Sequence, residues 1–207
     1  MSELSGTKEV IFDKFIEMTS KIGYENVSMR DIAREIGLKA ASIYNHFDGK
    51  RTILEFAYNY YLERQYDNRI PVEEMNKLVE TASAADMIRF FMYTFESEDQ
   101  KKYFRMILIT KIIYMRQFQD KTANNIFLAM YSDNANYVTE ILQHGINVGR
   151  IDPEFDIRTF AEVLVGAMAM MGIISFSDES YEVRQLKQEE YILALHARLL
   201  ATAILHN

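Results

Sequence analysis

The chain has 207 residues, no Cys and a net charge of −7. That length supports a full hydrophobic core, alone or behind a small module, and the lack of Cys excludes disulfides, thiolate nucleophiles and zinc–thiolate sites. The negative balance argues against a nucleic-acid partner only if it is evenly spread, and it is not: residues 1–52 hold eight Lys or Arg against eight Asp or Glu, so the whole excess falls on residues 53–207.

The N-terminal Met1-Ser-Glu-Leu-Ser-Gly6 has no basic segment leading into an apolar one, so no secretory signal is expected and a cytoplasmic location is. Apolar spacing of three and four predicts a first helix over Lys8–Ile22, with Ile11, Phe15, Met18 and Ile22 on the buried stripe and Gly23 as its stop. Ser28-Met-Arg-Asp31 reads as a capping box, which starts a second helix at Met29 that runs to Gly37. A turn at Leu38–Ala40 and a short helix over Ala41–Phe47 follow, the helix, Gly-containing turn and helix of a DNA-binding motif. Over Ser28–Arg51 the bases Arg30, Arg34, Lys39, Lys50 and Arg51 outnumber Asp31, Glu35 and Asp48, and a polyanion would be met there first.

A fourth helix is expected over Lys50–Arg69, then a poorly ordered connection from Pro71 to Ala84. Further helices are expected over Ala85–Ser97, Asp99–Gln117, Lys121–His144, Asp156–Phe176 and Lys187–His206, with a firm break at Gly145–Pro153; nine helices and no strand make the fold class all-α. The longest uncharged apolar run, Val163–Phe176, has 14 residues, fewer than the about eighteen of a membrane span.

The stretch Ser28-Met-Arg-Asp-Ile-Ala-Arg-Glu-Ile-Gly-Leu-Lys-Ala-Ala-Ser-Ile-Tyr-Asn-His-Phe-Asp-Gly-Lys50 resembles the helix-turn-helix of the tetracycline-repressor (TetR) family, with Ile32, Ala33, Gly37, Ile43, Tyr44, Phe47 and Lys50 at that family's pattern positions. Outside residues 8–56 the resemblance rests on helix order. Ile32, Ala33, Ile36, Leu38, Ile43 and Phe47 are expected to wedge the two helices together, leaving Lys39, Ala40, Ala41, Ser42, Asn45 and His46 for base edges in the major groove. Ser28 and Lys50 are placed on phosphates at two helix N-termini, and the resemblance implies the same for the Tyr44 hydroxyl. Many family members have a small hydroxyl residue, Lys and Gly where Lys39, Ala40 and Ala41 stand, so the operator sequence does not transfer by analogy. The expected division is a DNA-binding domain over residues 1–52 and a ligand-binding and dimerisation domain over residues 53–207.

In the second domain, residues 87–131 are rich in aromatic and Met side chains, which adapt to irregular shapes and line pockets between helices as readily as they fill cores. The resemblance implies an apolar or aromatic small-molecule effector here, for which Phe91, Phe95, Phe104, Met106, Tyr114, Phe118, Phe127, Met130 and Tyr131 are the candidates. Arg105, Arg116, Asn124 and Asn134 are read as surface residues or as groups orienting that ligand. The Val163–Phe176 helix is apolar on nearly every face, and Ala194, Ala197, Ala201 and Ile204 make a small-residue stripe on the last one. Both features, with the resemblance, imply a homodimer through the last two helices, which presents two recognition helices to a near-palindromic double-stranded site.

No metal or cofactor is expected, and no catalytic residue is assigned. There is no Gly-rich phosphate loop, no nucleophile elbow and no His-Glu-x-x-His, and His46, His144, His196 and His206 stand singly. A helical enzyme and a protein-interaction adaptor remain the alternatives to a ligand-released transcriptional repressor.

Overall fold

The computed structural model of the chain describes residues 4–67, 69–93, 99–175 and 181–205. Among them run ten α-helices: α1 (Gly6–Ile22), α2 (Met29–Glu35), α3 (Ala40–Ile43), α4 (Lys50–Arg64), α5 (Val72–Thr81), α6 (Ala84–Tyr93), α7 (Gln100–Arg116), α8 (Lys121–Asn147), α9 (Ile157–Ser175) and α10 (Tyr181–Ala203), with a 3-10 turn at Tyr24–Asn26. The all-helical class is the one the sequence predicts, but the count differs. The expected loose connection after Pro71 is α5. Pro71 sits at its N-cap, where a missing N–H costs nothing, Glu73 and Glu74 suit the positive end of the helix, and Met75 and Val79, four apart, are both buried. The fourth helix ends at Arg64 rather than Arg69, and α3 closes at Ile43 rather than Phe47.

Two compact units result: residues 1–67 with 97–127, and residues 68–96 with 128–207. These units cut the chain at other points than residue 52, because α4 and α7 both pack on α1.

In the first unit α1 packs on α2, α4 and α7. Its buried face is Ile11, Phe12, Phe15, Ile16 and Thr19, while Ile22, expected on the stripe, is exposed, since the helix stops at Gly23 with φ of 83°. Ile53, Leu54 and Ala57 of α4 complete the core, and the Phe56 ring meets Phe12 and Phe47 edge-on at centroid distances of 5.1 and 5.8 Å. A charged seam joins α1 to α7. The buried Arg105 donates to Asp13 Oδ1 at 2.6 Å and Oδ2 at 2.9 Å and also to Glu9, which accepts from Lys101 Nζ at 2.7 Å. These bonds from Lys101 and Arg105 hold the Glu9 carboxyl down at about 2.

In the second unit α10 packs against α6 and α9 over a core that includes Met75, Met87, Ile88, Phe91, Ile141, Leu142, Ile151 and Leu164. The expected break at Gly145 lies inside α8, which runs on to Asn147; a Cβ there would lie 2.6 Å from Cδ1 of Ile151 and 3.0 Å from Cγ1 of Val79, so glycine lets these two side chains pack close to the helix. The end of α10 is clasped to the loop after α8. Ile151 and Ile204 form an isolated antiparallel bridge, flanked by Asp152 N–H to the Ala203 carbonyl at 2.8 Å and Leu205 N–H to the Arg150 carbonyl at 3.0 Å. Ile204 thus leaves the expected helical stripe and is buried in this bridge. Among the described residues no helix is long and apolar enough to cross a membrane.

Candidate nucleic-acid interface

The site is built on two helices too short to hold themselves. α2 has seven residues and α3 four, well under the about twelve at which an isolated helix becomes marginal, so capping and packing must fix them. At the start of α2 the Ser28 hydroxyl accepts the Asp31 N–H at 3.2 Å and donates to Asp31 Oδ2 at 2.5 Å, while Ser28 N–H reaches the same carboxylate at 3.2 Å. This is the capping box expected from the sequence. The Ser28 bonds, followed by Arg34, hold the Asp31 carboxyl below the usual carboxylate range. At the other end Gly37 takes φ of 69°, and Leu38 N–H bonds the Ala33 carbonyl at 2.9 Å, closing α2 and turning the chain.

Lys39 is the N-cap of α3 and its side chain makes no capping bond, as its chemistry requires. After Ile43 the chain stays coiled: His46 N–H and Phe47 N–H both reach the Ile43 carbonyl, at 2.9 and 3.0 Å. Ile32, Ala33, Ile43 and Phe47 are buried and Ile36 and Leu38 half-buried, the wedge the sequence implies. On the outer side Lys39, Ala41, Asn45 and His46 are exposed, Tyr44 is 53% exposed, and Ala40 and Ser42 are half-buried. Ser28 is exposed as well.

Lys50 is placed differently from a free phosphate ligand. Its ammonium donates to the Tyr24 carbonyl at 2.8 Å and sits 4.1 Å from the centroid of the Tyr24 ring, which ties the start of α4 to the turn before α2. An ammonium has three protons, and this bond uses one of them.

The candidate ligand residues fall in both units. In the first unit Tyr114 and Phe127 meet edge-on at 5.3 Å, with burial pushing the Tyr114 hydroxyl up to about 12, and Met106 is half-buried. Phe104 and Phe118 of that unit are exposed, Phe118 by 89%. In the second unit Phe91 belongs to the core, Met130 is half-buried and Tyr131 donates to the Glu162 carbonyl at 2.9 Å. Phe95 lies outside the described residues. Of the polar groups read as surface or ligand-orienting, Arg105 and Arg116 are buried on carboxylates, Asn134 accepts from Arg69 at 2.6 Å, and Asn124 is half-buried. Tyr24, Arg116 and Asp120 carry no sequence signal of involvement; only the fold brings them behind Lys50 and Arg51.

A capped helix, a glycine turn and a second helix with a polar outer side define a helix-turn-helix DNA-binding module at the head of an all-helical chain. Residues 11–56 match the bacterial regulatory proteins of the tetR family. The chain is 31% identical over 99 residues to the biofilm operon icaADBC HTH-type negative transcriptional regulator IcaR of Staphylococcus aureus (strain Newman), covering 48% of this chain and 50% of that protein. IcaR of Staphylococcus epidermidis is 30% identical over 73 residues, 32% of this chain and 40% of that protein. The chain thus spans about half the length of the curated relatives it matches. Among solved structures, the ketosteroid transcriptional regulator KstR2 of Mycobacterium tuberculosis superposes with a TM-score of 0.63 at 15% identity, over 99% of this chain and 98% of that one. The TetR family transcriptional regulator PfmR of Thermus thermophilus gives 0.60 at 22% identity, over 92% and 96%. At these identities the structures attest the fold. The similarity to the tetR family of bacterial regulatory proteins thus lies in residues 11–56.

Proposed function

We propose that this protein is a sequence-specific transcriptional repressor that occupies a near-palindromic operator as a homodimer and leaves it when a small apolar or aromatic ligand binds. The observation that carries DNA reading is the two-sidedness of residues 39–47. Ile43 and Phe47 anchor the segment in the core, while Lys39, Ala41, Tyr44, Asn45 and His46 stay exposed with nothing apolar to bury them. Residues 1–52 would do the reading and residues 53–207 the sensing and pairing. The negative regulator IcaR, similar over about half its length, supports repression rather than activation. Pairing is supported by apolar surface on α9 and α10, where Val163 is 53% exposed, Leu195 58%, and Met170 and Leu199 are exposed too.

Base contacts are assigned to Lys39, Ala40, Ala41, Ser42, Asn45 and His46, and phosphate contacts to Ser28, Tyr44 and Lys50. Release works by a population shift: the ligand must favour a dimer geometry whose recognition helices no longer match successive grooves, by as much as its affinities for the two geometries differ. Phe91, Phe95, Phe104, Met106, Tyr114, Phe118, Phe127, Met130 and Tyr131 remain the proposed ligand contacts, and no catalytic group is assigned.

Selection of bound sites from random duplex DNA by the purified dimer tests this reading. A palindromic consensus is expected, with affinity falling steeply with salt and the slope reduced by about one in Lys50→Ala. Absence of any enriched sequence at low salt from folded, dimeric protein refutes it. Small molecules are then screened by release of the enriched duplex.

A further inference from the structure

A buried cation stands behind the two at the start of α4. Arg116, in the last turn of α7, is buried, and its guanidinium carbon lies 4.2 Å from the centroid of the Tyr24 ring. That is the ring over which the Lys50 ammonium sits, and the carbonyl of the same residue accepts from Lys50. One tyrosine therefore holds both cations.

Like charges gathered at one ring repel unless acids offset them, and two acids are in place. Glu25 Oε1 lies 3.2 Å from Arg116 Nη1, and Asp120 Oδ2 lies 3.6 Å from Nη2. Asp120 is itself buried and divides its oxygens between two tasks. Oδ1 accepts the N–H groups of Thr122 and Ala123 in the first turn of α8, at 2.9 and 3.4 Å. Oδ2 accepts from Arg51 Nη1 and from the Tyr58 hydroxyl, each at 3.4 Å. The Arg51 guanidinium is shared between Asp120 and Glu55, whose Oε1 takes Nε at 2.9 Å, yet the side chain remains 57% exposed.

Burying Arg116 and Asp120 costs solvation that an apolar pair of similar volume at this corner would not incur. What the charged pair adds is orientation. Lys50 and Arg51 are long side chains that would otherwise sample many rotamers, and that freedom is lost when they meet a phosphate. We infer that Arg116 and Asp120 are positioning residues for DNA binding, Arg116 steadying Lys50 through the Tyr24 ring and Asp120 steadying the Arg51 guanidinium, so that both cations wait in one arrangement for the DNA backbone. The inference rests on the DNA-binding reading above.

The test measures affinity for the duplex enriched in the selection, by fluorescence anisotropy across a salt series, with each variant first matched to wild type in helicity and dimer state. Arg116→Met is expected to weaken binding about tenfold and to lower the salt slope by about one, the signature of one lost phosphate contact made at a distance. Arg116→Lys, which keeps a cation at the ring, restores most of the affinity. In the Lys50→Ala background, Arg116→Met adds less than about twofold, because the residue it acts through is gone. Tyr24→Leu provides an independent route should Arg116→Met fail to fold, and is expected to give the same loss of slope. An equal loss from Arg116→Met with and without Lys50, or an unchanged salt slope in both Arg116→Met and Tyr24→Leu, overturns the inference while leaving DNA binding standing. Failure of the wild-type protein to enrich any duplex overturns the DNA-binding reading and this inference with it.

Discussion

α3 spans four residues and exposes Ala41 and, just beyond it, Tyr44, Asn45 and His46; α9 spans 19 and exposes Val163 and Met170. The first segment owes its helical shape to what lies beneath it, Ile43 and Phe47, and to the caps of its neighbour α2. The second has length enough to be helical on its own and leaves apolar surface uncovered. An exposed polar side on a propped-up turn suits a hydrated, charged duplex that must be read edge by edge. An exposed apolar side on a long helix suits a partner of the same kind. The difference teaches that the two regions are stabilised by different means and should fail in different ways.

The largest expected failure is in the prop. Ile43→Ala empties a fully buried site and should cost about 2–5 kcal/mol in urea unfolding, taking DNA binding with it. The long helices should fail by dissociation instead of unfolding. Val163→Glu with Leu195→Glu places two carboxylates on the exposed apolar face and is expected to weaken dimerisation about a hundredfold or more in analytical ultracentrifugation, with helicity retained. Partial damage to the prop is intermediate: Ser28→Ala removes the two hydroxyl bonds of the α2 cap, keeps the backbone N–H bond to Asp31, and should lower stability by about 1 kcal/mol. Tyr44→Phe, which keeps the ring and removes only the hydroxyl, should leave the unfolding midpoint unchanged and reduce operator affinity about fivefold, the worth of one hydrogen bond. The smallest effect concerns the seam between α1 and α7. The Glu9 carboxyl is depressed to about 2, so its contribution is present above the ordinary value of 4.5 and is lost as the pH falls from there towards 2. The difference in urea midpoint between wild type and Glu9→Gln should close over that window; a constant difference would remove the seam from the account.

The helix-turn-helix was legible in the sequence because its signals are local. A capping box, a glycine stop and a hydrophobic wedge all lie within twenty residues, and each appears in the structure where the residues imply it. α5 was not, because Pro71 and two glutamates imitate a loop when they are read as breakers, and only the burial of Met75 and Val79 shows that they begin a helix. Arg105 and Arg116 were illegible for a different reason: an arginine in an amphipathic helix reads as surface unless its acid is known. Two of those acids, Asp13 for Arg105 and Glu25 for Arg116, lie more than ninety positions away along the chain, and only Asp120 is a neighbour in sequence of the arginine it faces. The same distance hides the ring that Lys50 and Arg116 share. The proposed ligand contacts are the least legible group, since aromatic and Met side chains have the same composition whether they fill a core, as Phe91 does, or face outward, as Phe118 does.

The clasp at the end of α10 carries a mechanical consequence. With Ala203 and Leu205 hydrogen-bonded across to Asp152 and Arg150, and Ile204 bridged to Ile151, this end of the helix is pinned along its own axis. Sliding by one helical turn, about 5 Å, would break all of these at once, whereas a small roll about the axis would strain none of them greatly. In a dimer formed through α9 and α10, this end of α10 would travel with its own subunit's loop after α8 as one piece, so a push on either would be felt by both.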